Sequence, residues 1–171
     1  MIFTLSRFCE RSLNEDYGIP PEKTLTVSTG INIDLPSHIA DREKTKSVIL
    51  FVGVEWEIKG GPEMVAAFLE LKKNQPDAEL WLVGAKPQSV PEGVRCFGRI
   101  DRVTLARLFS EARLLCVPSR VERASMVALD AAAHGLPVIC THHGAGAERI
   151  RDGVTGILVD PRNTAAFAAA I

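Results

Sequence analysis

Residues 114–141 read LLCVPSRVERASMVALDAAAHGLPVICT, and the fold class turns on how this stretch is read. A short apolar run, LLCVP, gives way to a polar turn and then to ASMVALDAAAHG, whose alanines and leucine suit a helix that ends at Gly135; a second apolar run, PVICT, follows. Continuous apolar runs bounded by turn residues, without polar alternation, fit strands covered on both faces. Strand, helix and strand in this order predict a parallel pair joined by a right-handed crossover.

The same alternation extends outward. The further apolar runs are SVILFVGV, ELWLVG, VRCFG and TGILVD, and between them lie GPEMVAAFLELKKNQ, RVTLARLFSEA and a short GAGAERIRDG. In the first of these helical stretches Met64, Val65, Phe68, Leu69 and Leu71 recur at helical spacing, with Pro62 near the start where a missing N–H costs nothing. The pattern predicts an α/β fold, a doubly wound parallel sheet with helices on both faces, over residues 46–171. Residues 1–45 read as one helix (SRFCERSLNEDYG, ending at Gly18), one strand (KTLTVST) and a polar linker (PSHIADREKTKS), too little to close a core. At the other end NTAAFAAAI opens a helix with Asn163 as N-cap and stops, so a chain truncated at both ends is expected.

Composition narrows the function classes. With 20 Lys and Arg against 21 Asp and Glu, no global field favours nucleic acid or an anionic membrane. Cys9, Cys96, Cys116 and Cys140 form no Cys-x-x-Cys pair, and the last three sit in apolar runs as small buried hydrophobes. Reduced thiols, a charged N-terminal segment and the lack of a run of ~20 apolar residues point to a cytoplasmic protein.

In doubly wound sheets ligands sit beyond the carboxyl ends of the strands. After the first strand of the sheet Gly53 precedes a loop holding Lys59, Gly60 and Gly61; this reads either as an anion site of backbone N–H groups plus an ammonium, or as a solvated turn lysine. It is not a Walker loop, and no Gly-x-Gly-x-x-Gly follows any strand, which argues against a redox dinucleotide domain. Within 114–141 a helix starting near Ser125 leaves the N–H groups of Ala124, Ser125 and Met126 at its positive end. Glu122 stands beside that end and Asp130 inside the helix, where aspartate is a poor helix former; each is either a ligand contact or a solvent-facing acid. His142 and His143, being adjacent, are expected to point apart, Glu148 to cap or line its own short helix, and no metal site is expected. No nucleophile elbow appears.

Five segments, FVGVEWEIKGG, LWLVGAKP, VRCFGRI, VPSRVERASMVALDAAAHGLPVICTHHGAGAERI and DGVTGILVDP, resemble in order and spacing the C-terminal half of group 1 (family 4) retaining glycosyltransferases. The acid, seven residues, acid spacing of Glu122 and Asp130 belongs to that resemblance. It implies a Rossmann-like domain of a two-domain GT-B enzyme, with residues 1–45 the remnant of the N-terminal domain. It further implies a hexosyltransferase that takes a UDP-, GDP- or ADP-linked sugar without metal or other cofactor and transfers the sugar with retention to a sugar, lipid or small-molecule acceptor. Lys59 would contact the donor diphosphate and Glu122 the donor sugar. The amides of Arg123, Ala124, Ser125 and Met126 would hold sugar and phosphate oxygens, Asp130 the ribose, and the backbone near Gly84, Arg99 and Ile100 the base. Membrane contact would come only through the N-terminal domain, and the chain alone would transfer nothing.

Three features depart from the family pattern. Val54 and Ile58 stand where an arginine pairs with the lysine, Arg-Ala-Ser replaces a Gly-Phe-Gly type tripeptide, and Asp130 is one methylene shorter than the usual glutamate, about 1.5 Å of reach. Arg123 is a candidate for the missing positive charge. The alternative reading is a non-catalytic nucleotide or nucleotide-sugar binding module.

Overall fold

In the computed structural model, which describes residues 1–44, 46–160 and 163–171, every apolar run from Ser47 onward forms a strand. The expected division at residue 45, and Pro161 of the last matched segment, lie outside the described residues. The elements in chain order are β1 (Ile2–Thr4), α1 (Arg7–Glu15), β2 (Thr24–Thr26), β3 (Val48–Gly53), α2 (Gly61–Lys72), β4 (Glu79–Gly84), β5 (Val94–Gly98), α3 (Arg102–Glu111), β6 (Leu114–Val117), α4 (Met126–Ala133), β7 (Val138–Thr141), β8 (Gly156–Val159) and α5 (Thr164–Ala170). Among the described residues β3 to β8 make one six-stranded sheet in the order β5-β4-β3-β6-β7-β8, and each neighbouring pair is parallel.

The period of two along a strand explains why the inner runs are apolar throughout. Val48 and Leu50 of β3, Leu115 and Val117 of β6, and Val138 and Cys140 of β7 face a layer holding Leu108 and Phe109 of α3 and Ala128 and Ala131 of α4. Their alternates Ile49, Phe51, Cys116 and Ile139 face Met64, Ala67, Phe68 and Leu71 of α2 and Phe167 of α5. Each large apolar side chain buried in this way contributes roughly 1.5–3 kcal/mol. The edge strand β5 differs: it has one neighbour, its connection from β4 is a loop, and Arg95 and Cys96 are exposed. Cys96 is therefore not the buried hydrophobe its apolar run suggested, whereas Cys116 and Cys140 are.

The chain leaves β3 outward through β4 and β5, then returns to β6 on the other side of β3. The loops that follow β3 and β6 start from adjacent strands and diverge, which opens a crevice at the carboxyl edge of the sheet. The fold thus chooses the place where Lys59 and Glu122 meet.

The first residues hold one strand more than expected, since Ile2–Thr4 pairs in parallel with Thr24–Thr26. Three residues are too few to display a period. Ser6 caps α1, accepting the Cys9 N–H at 3.2 Å, and its hydroxyl donates to the Arg123 carbonyl at 3.0 Å. The Glu148 carboxylate accepts the N–H groups of Arg7 and Phe8 at 2.9 and 2.6 Å, so it caps α1 rather than a helix of its own; its neighbourhood forms only a 3-10 turn, Gly144–Gly146. The linker is also held: the Arg42 guanidinium donates to the carbonyls of Phe109 and Ala112 at 2.8 and 2.9 Å and to that of His134, across the C-terminal ends of α3 and α4. Because Ser6 is buried and serves as both cap and donor, Ser6→Ala is expected to lower stability by about 1–2 kcal/mol, read as a shifted midpoint in urea unfolding.

Candidate functional site

Glycine at the end of β3 lets Lys59 lie where it does. A Cβ on Gly53 would stand 2.9 Å from both Cβ and Cγ of Lys59, so the lysine stem crosses the strand end at a distance only glycine tolerates. Gly60 has φ +75°, and a Cβ there would stand 2.0 Å from the Pro118 carbonyl oxygen. The Arg120 N–H donates to the Ile58 carbonyl at 2.9 Å. These contacts stitch the loop after β3 to the loop after β6.

Glu122 is the centre of what they bring together. It is 6 % exposed, and its Oε2 accepts from Lys59 Nζ at 3.0 Å and Ser119 Oγ at 3.1 Å, while Oε1 accepts the Ser125 N–H at 2.9 Å. Burial acts against the charged carboxylate; the Lys59 ammonium and the bonds from Lys59, Ser125 and Ser119 together outweigh it and hold the carboxyl below its ordinary value. The Glu122 carbonyl accepts the Ala145 N–H at 2.9 Å, and a Cβ on Gly144, at φ +69°, would stand 2.3 Å from that oxygen. Two loops thus hold the carboxylate and a third holds the backbone that carries it.

Of the three amides expected at the positive end of α4, that of Ser125 donates to Glu122. The amides of Ala124, Met126 and Val127 have no acceptor among the described residues. Ser125 is the N-cap residue of α4, in agreement with the expected start, but with φ 47° and ψ 50° and no side-chain capping bond. Val52, Lys59, Glu122, Arg123, Ala124, Ser125, Met126 and Val127 line one cleft of 280 Å³. The α4 N-terminus turns its positive end to this cleft, the Lys59 ammonium is paired there with Glu122, and Arg123 is exposed at the rim.

The remaining expected residues lie outside that lining. Asp130 is buried rather than solvent-facing, and its Oδ1 accepts the Asn32 N–H at 2.7 Å, pinning the linker to α4. Gly84 ends β4 in register with Gly53, and with φ +91° a Cβ on it would stand 2.7 Å from the Gly53 carbonyl oxygen. Arg99 and Ile100 follow β5, with Ile100 packed on the core. The His142 and His143 rings do not point apart: their centroids are 3.9 Å from each other. Among the described residues no three His, Cys, Asp or Glu side chains converge as a metal site would require. Ser119, 1 % exposed and bonded to Glu122, was not anticipated. Its signal, a serine three positions before a buried acid, carries meaning only once the acid is known to be buried.

Comparison with known proteins places the chain in a family and agrees with the fold. Residues 46–171 match the family model described as glycosyl transferases group 1. The chain is 29 % identical over 180 residues to the glycogen synthase of Mycobacterium tuberculosis (strain ATCC 25618 / H37Rv), an alignment covering 95 % of this chain and 43 % of that protein. It therefore spans less than half the length of this curated relative. Sucrose-phosphate synthase from Thermosynechococcus elongatus superposes with a TM-score of 0.81 at 27 % identity, over 98 % of this chain and 47 % of that one. The pneumococcal O-GlcNAc transferase GtfA in complex with UDP and GlcNAc shares the fold, with a TM-score of 0.79 at 16 % identity over 98 % of this chain and 37 % of that one.

Proposed function

The chain belongs to the glycosyl transferases group 1 family, and from that premise we propose that it is the donor-binding part of a retaining hexosyltransferase that uses a nucleotide-diphosphate sugar. The observation that carries this reading is the Lys59–Glu122 pair at the point where the strand order reverses, beside open amides of α4. A diphosphate there would lie against the Lys59 ammonium and the Met126 and Val127 amides, and the sugar hydroxyls against Glu122. As the anomeric C–O bond breaks, its electron pair passes to the diphosphate oxygen, where Lys59 and the helix end stabilise the growing charge. The acceptor hydroxyl forms the new bond on the same face and its proton leaves with the diphosphate. Positive charge from Lys59, Arg123 and the helix end would serve in place of a divalent ion.

The finer assignments belong to the same proposal: Asp130 on the ribose, the base near Gly84, Arg99 and Ile100, a division between residues 45 and 46, and a cytoplasmic setting. An Asp130 that reaches a ribose would do so while its other oxygen holds Asn32. No helix among the described residues is long and apolar enough to cross a membrane. Donor binding without transfer is the expected behaviour of the chain alone, and the acceptor belongs to the whole enzyme. The UDP held by GtfA supports a nucleotide in a site of this fold.

Calorimetry with UDP, GDP and ADP tests the proposal. Saturable binding of one of them is expected, and no heat with any of the three would refute it. NAD should give no saturable change in Trp56 and Trp81 fluorescence. Arg123→Ala should weaken binding of the preferred nucleotide by about 2–5-fold, the range of one exposed charge near a phosphate; unchanged affinity would remove Arg123 from the site.

A further inference from the structure

We propose that the Ser125 hydroxyl is a ligand contact of this cleft, donating a hydrogen bond to an oxygen of the bound nucleotide sugar and tuning which donor is held; this rests on the donor-binding reading above. A serine at an N-cap ordinarily turns its Oγ back to accept the second or third N–H of its own helix. Ser125 occupies that position before α4 and does not do so. Its Oγ is buried, has no hydrogen-bond partner among the described residues, and belongs to a residue only 2 % exposed. A buried hydroxyl without a partner is costly and uncommon.

The backbone at the same residue adds an independent observation. Ser125 is the one non-glycine residue with positive φ among the described residues. At Gly60 and Gly144, the other left-handed positions in these loops, glycine takes up that conformation without a penalty. Glycine at 125 would remove both the left-handed strain and the orphan hydroxyl. A strained residue with an unpaired polar group, in a cleft lining, is the pattern of a contact completed from outside the protein.

The surroundings hold this residue ready for such a contact. Glu122 Oε1 takes the Ser125 N–H at 2.9 Å and fixes the backbone that carries the hydroxyl. Rotation about χ1 then moves Oγ between its staggered positions without disturbing that bond. With the amide committed to Glu122 and the helix amides left open, the hydroxyl is free of the capping role and is available to a ligand oxygen. A nucleotide sugar offers two kinds of acceptor, a sugar hydroxyl and a diphosphate oxygen, and a serine O–H can donate to either.

The test compares the chain with Ser125→Ala and Ser125→Gly, titrating each with UDP, GDP and ADP and with their glucose conjugates. Alanine removes the hydroxyl and keeps the β-carbon and the backbone strain; glycine removes both. The glycine variant is expected to melt about 2–4 °C higher, the shift that ~1 kcal/mol gives in a chain of this size. Both variants are nevertheless expected to bind the preferred conjugate about 2–12-fold more weakly, the span of one lost hydrogen bond. Loss confined to the conjugate assigns the hydroxyl to the sugar, and equal loss for nucleotide and conjugate assigns it to the diphosphate. Unchanged affinity of Ser125→Ala for both overturns the inference while leaving donor binding intact. If the unaltered chain binds none of the six ligands, the donor reading fails and the inference falls with it.

Discussion

Replacing Glu122 with alanine is expected to lower stability by about 2–4 kcal/mol and to remove measurable nucleotide-sugar binding. The carboxylate accepts from Lys59, Ser119 and the Ser125 amide. Alanine would leave a buried hydroxyl and a buried amide without a partner, and release the ammonium from its place at the crevice. Lys59 retains partial access to water, a quarter of its side chain being exposed, so its share of the cost is smaller than for a fully buried pair. Glu122→Gln separates shape from charge: it keeps an acceptor for Ser125 and loses the ion pair. Urea unfolding read beside calorimetry distinguishes the outcomes. A Glu122→Ala variant of unaltered stability and donor affinity would show that the carboxylate organises nothing.

The same carboxylate gives stability a dependence on pH. Its folded-state pKa lies below the ordinary value of 4.5, so in the acid range the unfolded chain binds the proton more readily. Its contribution is complete above the ordinary value and is lost as pH falls through the lowered one. The acid limb of a stability profile should therefore be shallower in Glu122→Gln than in the unaltered chain. Equal limbs would mean that the group titrates alike in both states.

Gly60→Ala is expected to cost about 2–4 kcal/mol and to weaken donor binding at least about 10-fold, through geometry alone. A Cβ would stand 2.0 Å from the Pro118 carbonyl oxygen, a backbone atom that no rotamer change can move aside. The residue also has φ +75°, where a side chain is strained even in open space. Relief requires the loop after β3 to move away from the loop after β6, and Lys59, one residue earlier, moves with it. Gly18→Ala is the control: at φ +66° it has nothing within 4 Å among the described residues, so it carries the strain without the clash. If both variants lost the same stability and neither lost donor affinity, the contact with Pro118 would not be what positions Lys59.

Much of the fold was legible in the chain because the physics behind it is local. The apolar runs of β3, β4, β6 and β7 are continuous because helices cover both faces, and they read as buried strands for that reason. The start of α4 was legible from Ser125, and the start of α5 from Asn163, whose side chain accepts the Ala166 N–H. Where the pattern misled, the cause was not local. Cys96 sits in an apolar run, but its strand is at the sheet edge. Glu148 lies beside a short turn but caps a helix 141 residues away in the chain. Asp130 reads as either a ligand contact or a solvent-facing acid, and neither reading foresees that it is buried and accepts the linker amide of Asn32.

An α/β parallel sheet, loops with Lys59 and Glu122 that follow its strands, and a resemblance to one family are all readable along the chain. These follow from the period of apolar residues and from spacing along the chain. Packing alone brings Lys59 and Glu122 into contact, adds Ser119 to them, spends the Ser125 amide on Glu122, and leaves the Ser125 hydroxyl without a partner among the described residues. Those facts depend on which strands lie side by side and on how closely two glycine-bearing loops approach. Distances between residues far apart in the chain are set by packing, and no local pattern records them.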